Sequence, residues 1–138
     1  MPNKFLKRIC WQQAVLGLSQ LSTLNSREAR KAKVGHELYS KISSTSHVRL
    51  PKMEFSSGNS FWLFPLFTTD FVKLQCHLLS RGVDSSGLLL SCLAEEPTFS
   101  DLNFTSPNAA THKRNILFLP IYESMSDNEI TRISSAVN

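Results

Sequence analysis

Long apolar runs are missing from this 138-residue chain. The longest, such as Ile116 to Leu119 and Gly87 to Leu90, cover only a few residues, far short of the ~20 needed to cross a bilayer. Cysteine is scarce and odd in number. Cys10, Cys76 and Cys92 lie too far apart for metal-ligand spacing, so the expectation is buried or inert thiols in a reducing compartment. His36, His47, His77 and His112 are scattered without a His-x-x-x-His pair, which points away from a zinc site. No glycine-rich phosphate loop is present, and no Ser/His/Asp set sits in a recognisable local frame. Glu95-Glu96 are adjacent carboxylates pointing different ways, which reads as solvated surface rather than an acid/base couple. The basic opening, residues 1–8, is not followed by an apolar block with a small-residue cleavage site. A secretory leader is therefore not expected, and a cytoplasmic location is. Repeats and low-complexity tracts are absent.

What is present is ordinary for a soluble globular chain: 41% apolar and 19% charged residues, enough for one domain with a modest core. The charge is uneven. Residues 1–52 carry ten Lys/Arg against two Glu, a balance of +8, and residues 53–138 carry five against nine Asp/Glu, a balance of −4. Such asymmetry fits a nucleic-acid partner or a basic helix lying near an acidic piece of protein. The basic half lacks the interleaved aromatics of a nucleic-acid reader, which weakens the first reading.

Between Pro2 and Pro51 there is no proline, and apolar residues recur at helical spacing. Ala14, Leu18, Leu21 and Leu24 are followed by Val34, Leu38 and Ile42, which predicts one long helix from about Cys10 to Ile42 or two closely joined helices. The stretch Asn25-Ser-Arg-Glu is the expected site of any bend. Arg27, Arg30, Lys31 and Lys33 are expected on a solvated face. The run Ser56-Ser-Gly-Asn reads as a loop, and the aromatic segment Phe61 to Phe67 as a strand. Pro65 cannot donate to a ladder, so that strand lies at an edge or pairs on one side there. Thr69 or Asp70 would cap a helix to about Ser80 with Phe71, Leu74 and Leu78 inward, closed by Gly82. Val83 to Leu90 reads as an interrupted strand, and about 94–114 as loop. Asn115 to Ile121 is a strand stopping at Pro120. Ser126-Asp-Asn-Glu129 is a capping box, with Met125 and Ile130 as the staple and Ile130, Ile133 and Val137 facing the core. The fold class is α+β: a small sandwich-like domain in which a long N-terminal helix precedes a sheet of about three strands covered by helices.

Three segments in this order resemble the DegT-type nucleotide-sugar aminotransferases, a branch of the fold-type I pyridoxal-phosphate enzymes. Gln13-Ala-Val-Leu-Gly-Leu-Ser-Gln-Leu with Arg27 and Tyr39 is similar to that family's Q-A-A-x-G-x-x-Q-L helix. Trp62-Leu-Phe-Pro-Leu with Leu79-Ser-Arg-Gly-Val is similar to its W-x-F-P strand and following L-x-x-x-G-I. Ile116-Leu-Phe-Leu-Pro-Ile-Tyr-Glu-Ser-Met-Ser-Asp-Asn-Glu-Ile is similar to its closing motif.

The resemblance implies a cofactor, pyridoxal phosphate, held by a large amino-terminal domain whose lysine forms the Schiff base. Lys4 and Lys7 lie too close to the match to be that lysine. The family's Asn-x-Arg element before the Q-A-A helix places Arg8 on the arginine and Leu6 on the phosphate-contacting asparagine, where it cannot donate; Asn3 is three residues too early. The implied division is a linking helix at 1–45 and a small carboxyl-terminal aminotransferase-like domain at 46–138. Trp62 and Phe64, with the loop after Val83, are the expected substrate-side positions. The expected role is the carboxyl-terminal portion of a sugar aminotransferase, inactive by itself, completed by a large domain or forming a homo-oligomer and exposing apolar surface where that partner belongs. Two alternatives stay open: a non-catalytic module of the same fold that binds a protein partner, and a basic nucleic-acid-binding domain.

Overall fold

The computed structural model describes residues 9–53, 60–87, 91–102 and 104–138. The described residues form five α-helices and a three-stranded antiparallel sheet, as the α+β expectation requires. The elements are α1 (Trp11–Leu21), α2 (Leu24–Lys41), β1 (Val48–Arg49), β2 (Phe64–Thr68), α3 (Phe71–Ser80), α4 (Pro107–Asn115), β3 (Ile116–Leu119) and α5 (Asp127–Val137).

The N-terminal segment is two helices, and they part at Ser22 and Thr23 rather than at Asn25 to Glu28. Hydroxyls explain the position. Ser19 donates to the Leu16 carbonyl at 2.7 Å, Ser22 to Ser19 at 2.8 Å, Thr23 to Gln20 at 3.2 Å and Ser26 to Thr23 at 2.8 Å. Four side chains in eight residues thus compete for the carbonyls that a continuous helix would use. Beyond the break, α2 turns Val34 and Leu38 inward, with Ile42 buried just past its end. Gly35 faces the Phe61 ring so closely that a β-carbon would sit 2.6 Å from it, so glycine is what lets that ring lie on the helix. The Asn138 amide closes the far end of α2, donating to the Lys41 carbonyl at 2.9 Å and accepting from the Ser43 amide at 2.8 Å.

The sheet order is β1-β2-β3, so β2 is central. Pro65 is tolerated there for a specific reason. β1 reaches only Thr68 and Phe67, so Pro65 pairs on one side, with Phe118. Phe118 turns its own amide and carbonyl the other way, to Ser86, at 2.7 and 3.1 Å. Pro65 therefore occupies a site where no amide hydrogen is called for. The expected strand at Val83 to Leu90 shrinks to this one Ser86–Phe118 bridge, with residues 88–90 outside the described residues. The third strand is instead β1, whose two residues are too short to show a period. Strand β2 begins at Phe64 rather than Phe61, and the expected loop at 94–114 contains two 3₁₀ turns and α4. Pro107 in the first turn of α4 suits a helix start, where an amide donor would be unpaired in any case. The loop expected at Ser56 to Asn59 lies outside the described residues.

The core occupies one face of the sheet. Phe64 and Leu66 of β2 and Leu117 and Leu119 of β3 are fully buried against Val34, Leu38, Leu78, Met125 and Ile130 from α2, α3 and α5. Helix α3 starts at Asp70, whose carboxylate accepts from the Lys73 amide at 3.0 Å, and ends at Gly82, whose φ of 70° suits a residue without a β-carbon. The capping box of α5 is formed as expected: Glu129 accepts from the Ser126 amide at 2.8 Å, and Ser126 Oγ accepts from the Glu129 amide at 3.3 Å. Met125 and Ile130 close the staple beneath it, both completely buried.

Replacing Ile130 by alanine removes a buried branched chain, so the urea midpoint should fall by the equivalent of about 2–5 kcal/mol. A second prediction follows from the cap. The hydrogen bond from the Tyr122 hydroxyl, then those from the Ser126 amide and hydroxyl, lower the Glu129 pKa from 4.5 to about 2. A carboxylate depressed in the folded state stabilises above its unfolded value and loses that contribution as pH falls through its folded one. Unfolding midpoints should therefore decline between pH 4.5 and about 2, with a shallower decline in Glu129→Gln.

Candidate functional site

Helix α1 has no buried residue at all. Trp11, Val15 and Leu18 follow at i, i+4 and i+7 on one side and are 71%, 54% and 67% exposed. Leu21 lies beside them at 61%, and Leu16 on the opposite side at 62%. An 11-residue helix has little stability of its own in water, and contiguous apolar surface of this kind marks a contact with another surface. The expectation of exposed apolar surface on the N-terminal helical segment thus holds for α1. It fails for α2, whose Val34 and Leu38 belong to the core.

The α2 cations are not simply solvated. Arg27 binds the Glu123 carboxylate at 2.8 Å, and Arg30 donates to the Glu123 and Met125 carbonyls at 3.3 and 3.5 Å. The turn between β3 and α5 brings Glu123 to the flank of α2, a contact between residues far apart in sequence. Glu123 is held below the usual carboxylate range by its own backbone amide and then by Arg27. Lys31 and Lys33 pair along the helix with Glu28 and Glu37. Glu95 likewise meets Lys113 at 3.1 Å and Arg114 at 3.7 Å.

Of the expected substrate-side residues, Trp62 is 76% exposed whereas Phe64 is wholly buried. Phe64 can act on a ligand only through the position of β2. Phe61 stacks near it with ring centroids 6.3 Å apart. In the loop after Val83, the Ser85 carbonyl accepts from the Gln75 amide at 2.9 Å. The buried Ser85 hydroxyl has no hydrogen-bond partner among the described residues. Arg8 and Leu6, with Asn3, Lys4 and Lys7, lie outside the described residues. Cys92 is buried, whereas Cys10, ahead of α1, and Cys76, on α3, are exposed, so burial holds for one of the three thiols.

The described residues do not fit pyridoxal phosphate. Lys73 borders a groove of about 390 Å³ at the start of α3, and the groove opens to solvent. The Asp70 carboxylate lines the same groove and already takes the Lys73 amide, so it would repel a phosphate there. Among the described residues no group of His, Cys, Asp and Glu could hold a metal ion, and no helix is long and apolar enough to cross a membrane.

The DegT/DnrJ/EryC1/StrS aminotransferase family profile matches residues 6–138. Comparison with curated proteins found no match. Several solved structures share the fold. DesV of S. venezuelae, in complex with a ketimine intermediate, superposes with a TM-score of 0.78 at 23% identity, over 91% of this chain and 34% of its own. TlmJ from Streptoalloteichus hindustanus, an aminotransferase, gives 0.78 at 19% over 91% and 34%. PseC of Helicobacter pylori, an aminotransferase of pseudoaminic acid biosynthesis, gives 0.74 at 17% over 91% and 35%. The chain thus spans about a third of the length of the structures it matches. It belongs to the DegT/DnrJ/EryC1/StrS aminotransferase family.

Because none of the described residues covers α1, Leu18→Asp should change the stability of the dilute chain by no more than about 0.5 kcal/mol. Leu38→Asp, which buries an unpaired charge in the core, should prevent folding. Urea titrations followed by far-UV circular dichroism separate the two.

Proposed function

We propose that this chain acts as the carboxyl-terminal small domain of a pyridoxal-phosphate-dependent sugar aminotransferase, and that it does not bind the cofactor or transfer an amino group by itself. The observation that carries the reading is α1: Trp11, Val15, Leu18 and Leu21 present an apolar stripe that the other described residues leave uncovered. A large domain of the same enzyme, or the same surface of a second subunit, is the partner that stripe suits.

On this reading residues 1–45 link to the large domain and 46–138 form the small one. The sheet and α5 are the rigid part, fixed by the one-sided core and the capping box. Arg27 and Arg30 tie α2 to the turn before α5, so α2 belongs to the rigid part and α1 extends from its start. Trp62, exposed just ahead of β2, is the substrate-side aromatic. Phe64 beneath it anchors the strand. By the family's Asn-x-Arg pattern, Leu6 stands at the phosphate-contacting position, where it supplies no hydrogen bond, and Arg8 stands beside that position. Pyridoxal phosphate would supply the electron sink for amino transfer, and the small domain's part is to position the sugar and shut out water. The solved sugar aminotransferases that share the fold support this reading.

The test uses the chain alone. It is titrated with pyridoxal phosphate, reduced with borohydride and mapped by mass spectrometry. Substoichiometric labelling spread over surface lysines, rising with reagent and never saturating, is the expected result. A saturable one-to-one adduct at a single lysine with its own visible absorption band would overturn the reading.

A further inference from the structure

Away from α1 and Trp62, the chain builds an open pocket of about 300 Å³ between β1, the end of β2 and the last turn of α4. We propose that this pocket is a binding site for a phosphate group, free or carried on a small organic molecule.

Composition is the first argument. Arg49, His47 and His112 line the pocket together with hydroxyl and amide side chains, and no aspartate or glutamate is among its lining residues. Among the described residues none of the three is paired with a carboxylate, so the Arg49 guanidinium is available to an anion, with the two imidazoles and the neutral groups beside it as further partners.

Geometry is the second. Phe67 acts as a platform: the Arg49 guanidinium lies 4.6 Å from its ring centre and the His112 ring 4.9 Å away. The contact fixes the guanidinium plane while leaving its N–H fork unspent. Thr45 Oγ1 accepts from the backbone amides of His47 at 3.2 Å and Val48 at 3.0 Å. Its lone pairs are thereby engaged and its own hydrogen is left to donate. The Asn115 amide adds a neutral donor. A fork, two imidazoles, a hydroxyl and an amide form the donor set that a phosphate takes.

Position is the third. The pocket follows the C-terminal end of α2, and α1 precedes its N-terminal end. Eighteen residues lie between, about 27 Å of helix. The pocket and the α1 stripe thus lie at opposite ends of α2 and share no residue, so the proposal stands or falls apart from the one about the small domain.

Isothermal titration calorimetry of the 138-residue chain at constant ionic strength, with inorganic phosphate, pyrophosphate and glucose 1-phosphate as separate ligands, tests it. Saturable one-to-one binding of at least one of them is expected, and which one distinguishes a free anion from a phosphomonoester. Arg49→Gln should weaken that binding about tenfold or more, as loss of a charge-assisted contact does. Asn115→Asp, which places an acid in the pocket without emptying it, should abolish it, and Arg49→Lys should fall between. Circular dichroism confirms that each variant is folded. No saturable binding of any of the three ligands to the wild-type chain, or equal affinity in folded Arg49→Gln and Asn115→Asp, would overturn the proposal.

Discussion

The inner face of the β2–β3 pair holds this molecule together, and α1 is the helix that it cannot reach. Phe64, Leu66, Leu117 and Leu119 form a continuous apolar surface on which α2, α3 and α5 each lay a stripe. A sheet with one covered face offers a limited area, and three helices use it. What stands beyond the Ser22–Thr23 break depends on contact with something else. The same hydroxyls that end α1 therefore also decide which part of the chain is self-sufficient and which part is an interface.

The electrostatics divide along the same line. The basic excess of the first 52 residues and the acidic excess of the remainder meet at Arg27 and Glu123, where the pairing fixes α2 against the turn ahead of α5. Such a half-exposed pair contributes little to stability; its effect is geometric, since it sets the direction in which α1 projects. The charge asymmetry is thus accounted for in part by contacts within the chain, which lessens the case for a nucleic-acid partner. The groove beside β1 is different, because Arg49 faces it with no aspartate or glutamate among the groove's lining residues.

Local rules made much of the fold legible. Ser126 with Glu129, Met125 with Ile130, Asp70 before α3 and Gly82 after it all combine short-range chemistry with burial, so their pattern survives in the sequence. The places that were not legible depend on neighbours distant along the chain. Strand β1 exists because Thr68 and Phe67 are there to pair with it. Helix α4 has only a weak apolar stripe, and its Pro107 looks like a loop residue until the helix start is seen. The break between α1 and α2 was written in Ser19, Ser22, Thr23 and Ser26, and the apolar spacing across it concealed the signal. Of the candidate site, the Trp11, Val15 and Leu18 stripe could have been found by period alone. The convergence of His47, Arg49 and His112 could not, since histidines so far apart carry no motif.

If α1 is an interface helix that awaits its cover, its backbone amides should show it directly. Hydrogen–deuterium exchange of the dilute monomeric chain, read by peptide, is the most direct measurement. Residues 11–21 should exchange orders of magnitude faster than those of α2 and α5, as for a segment that opens locally. Protection of α1 equal to that of α5 in a monomer would mean that the chain covers this helix itself, and would contradict the account.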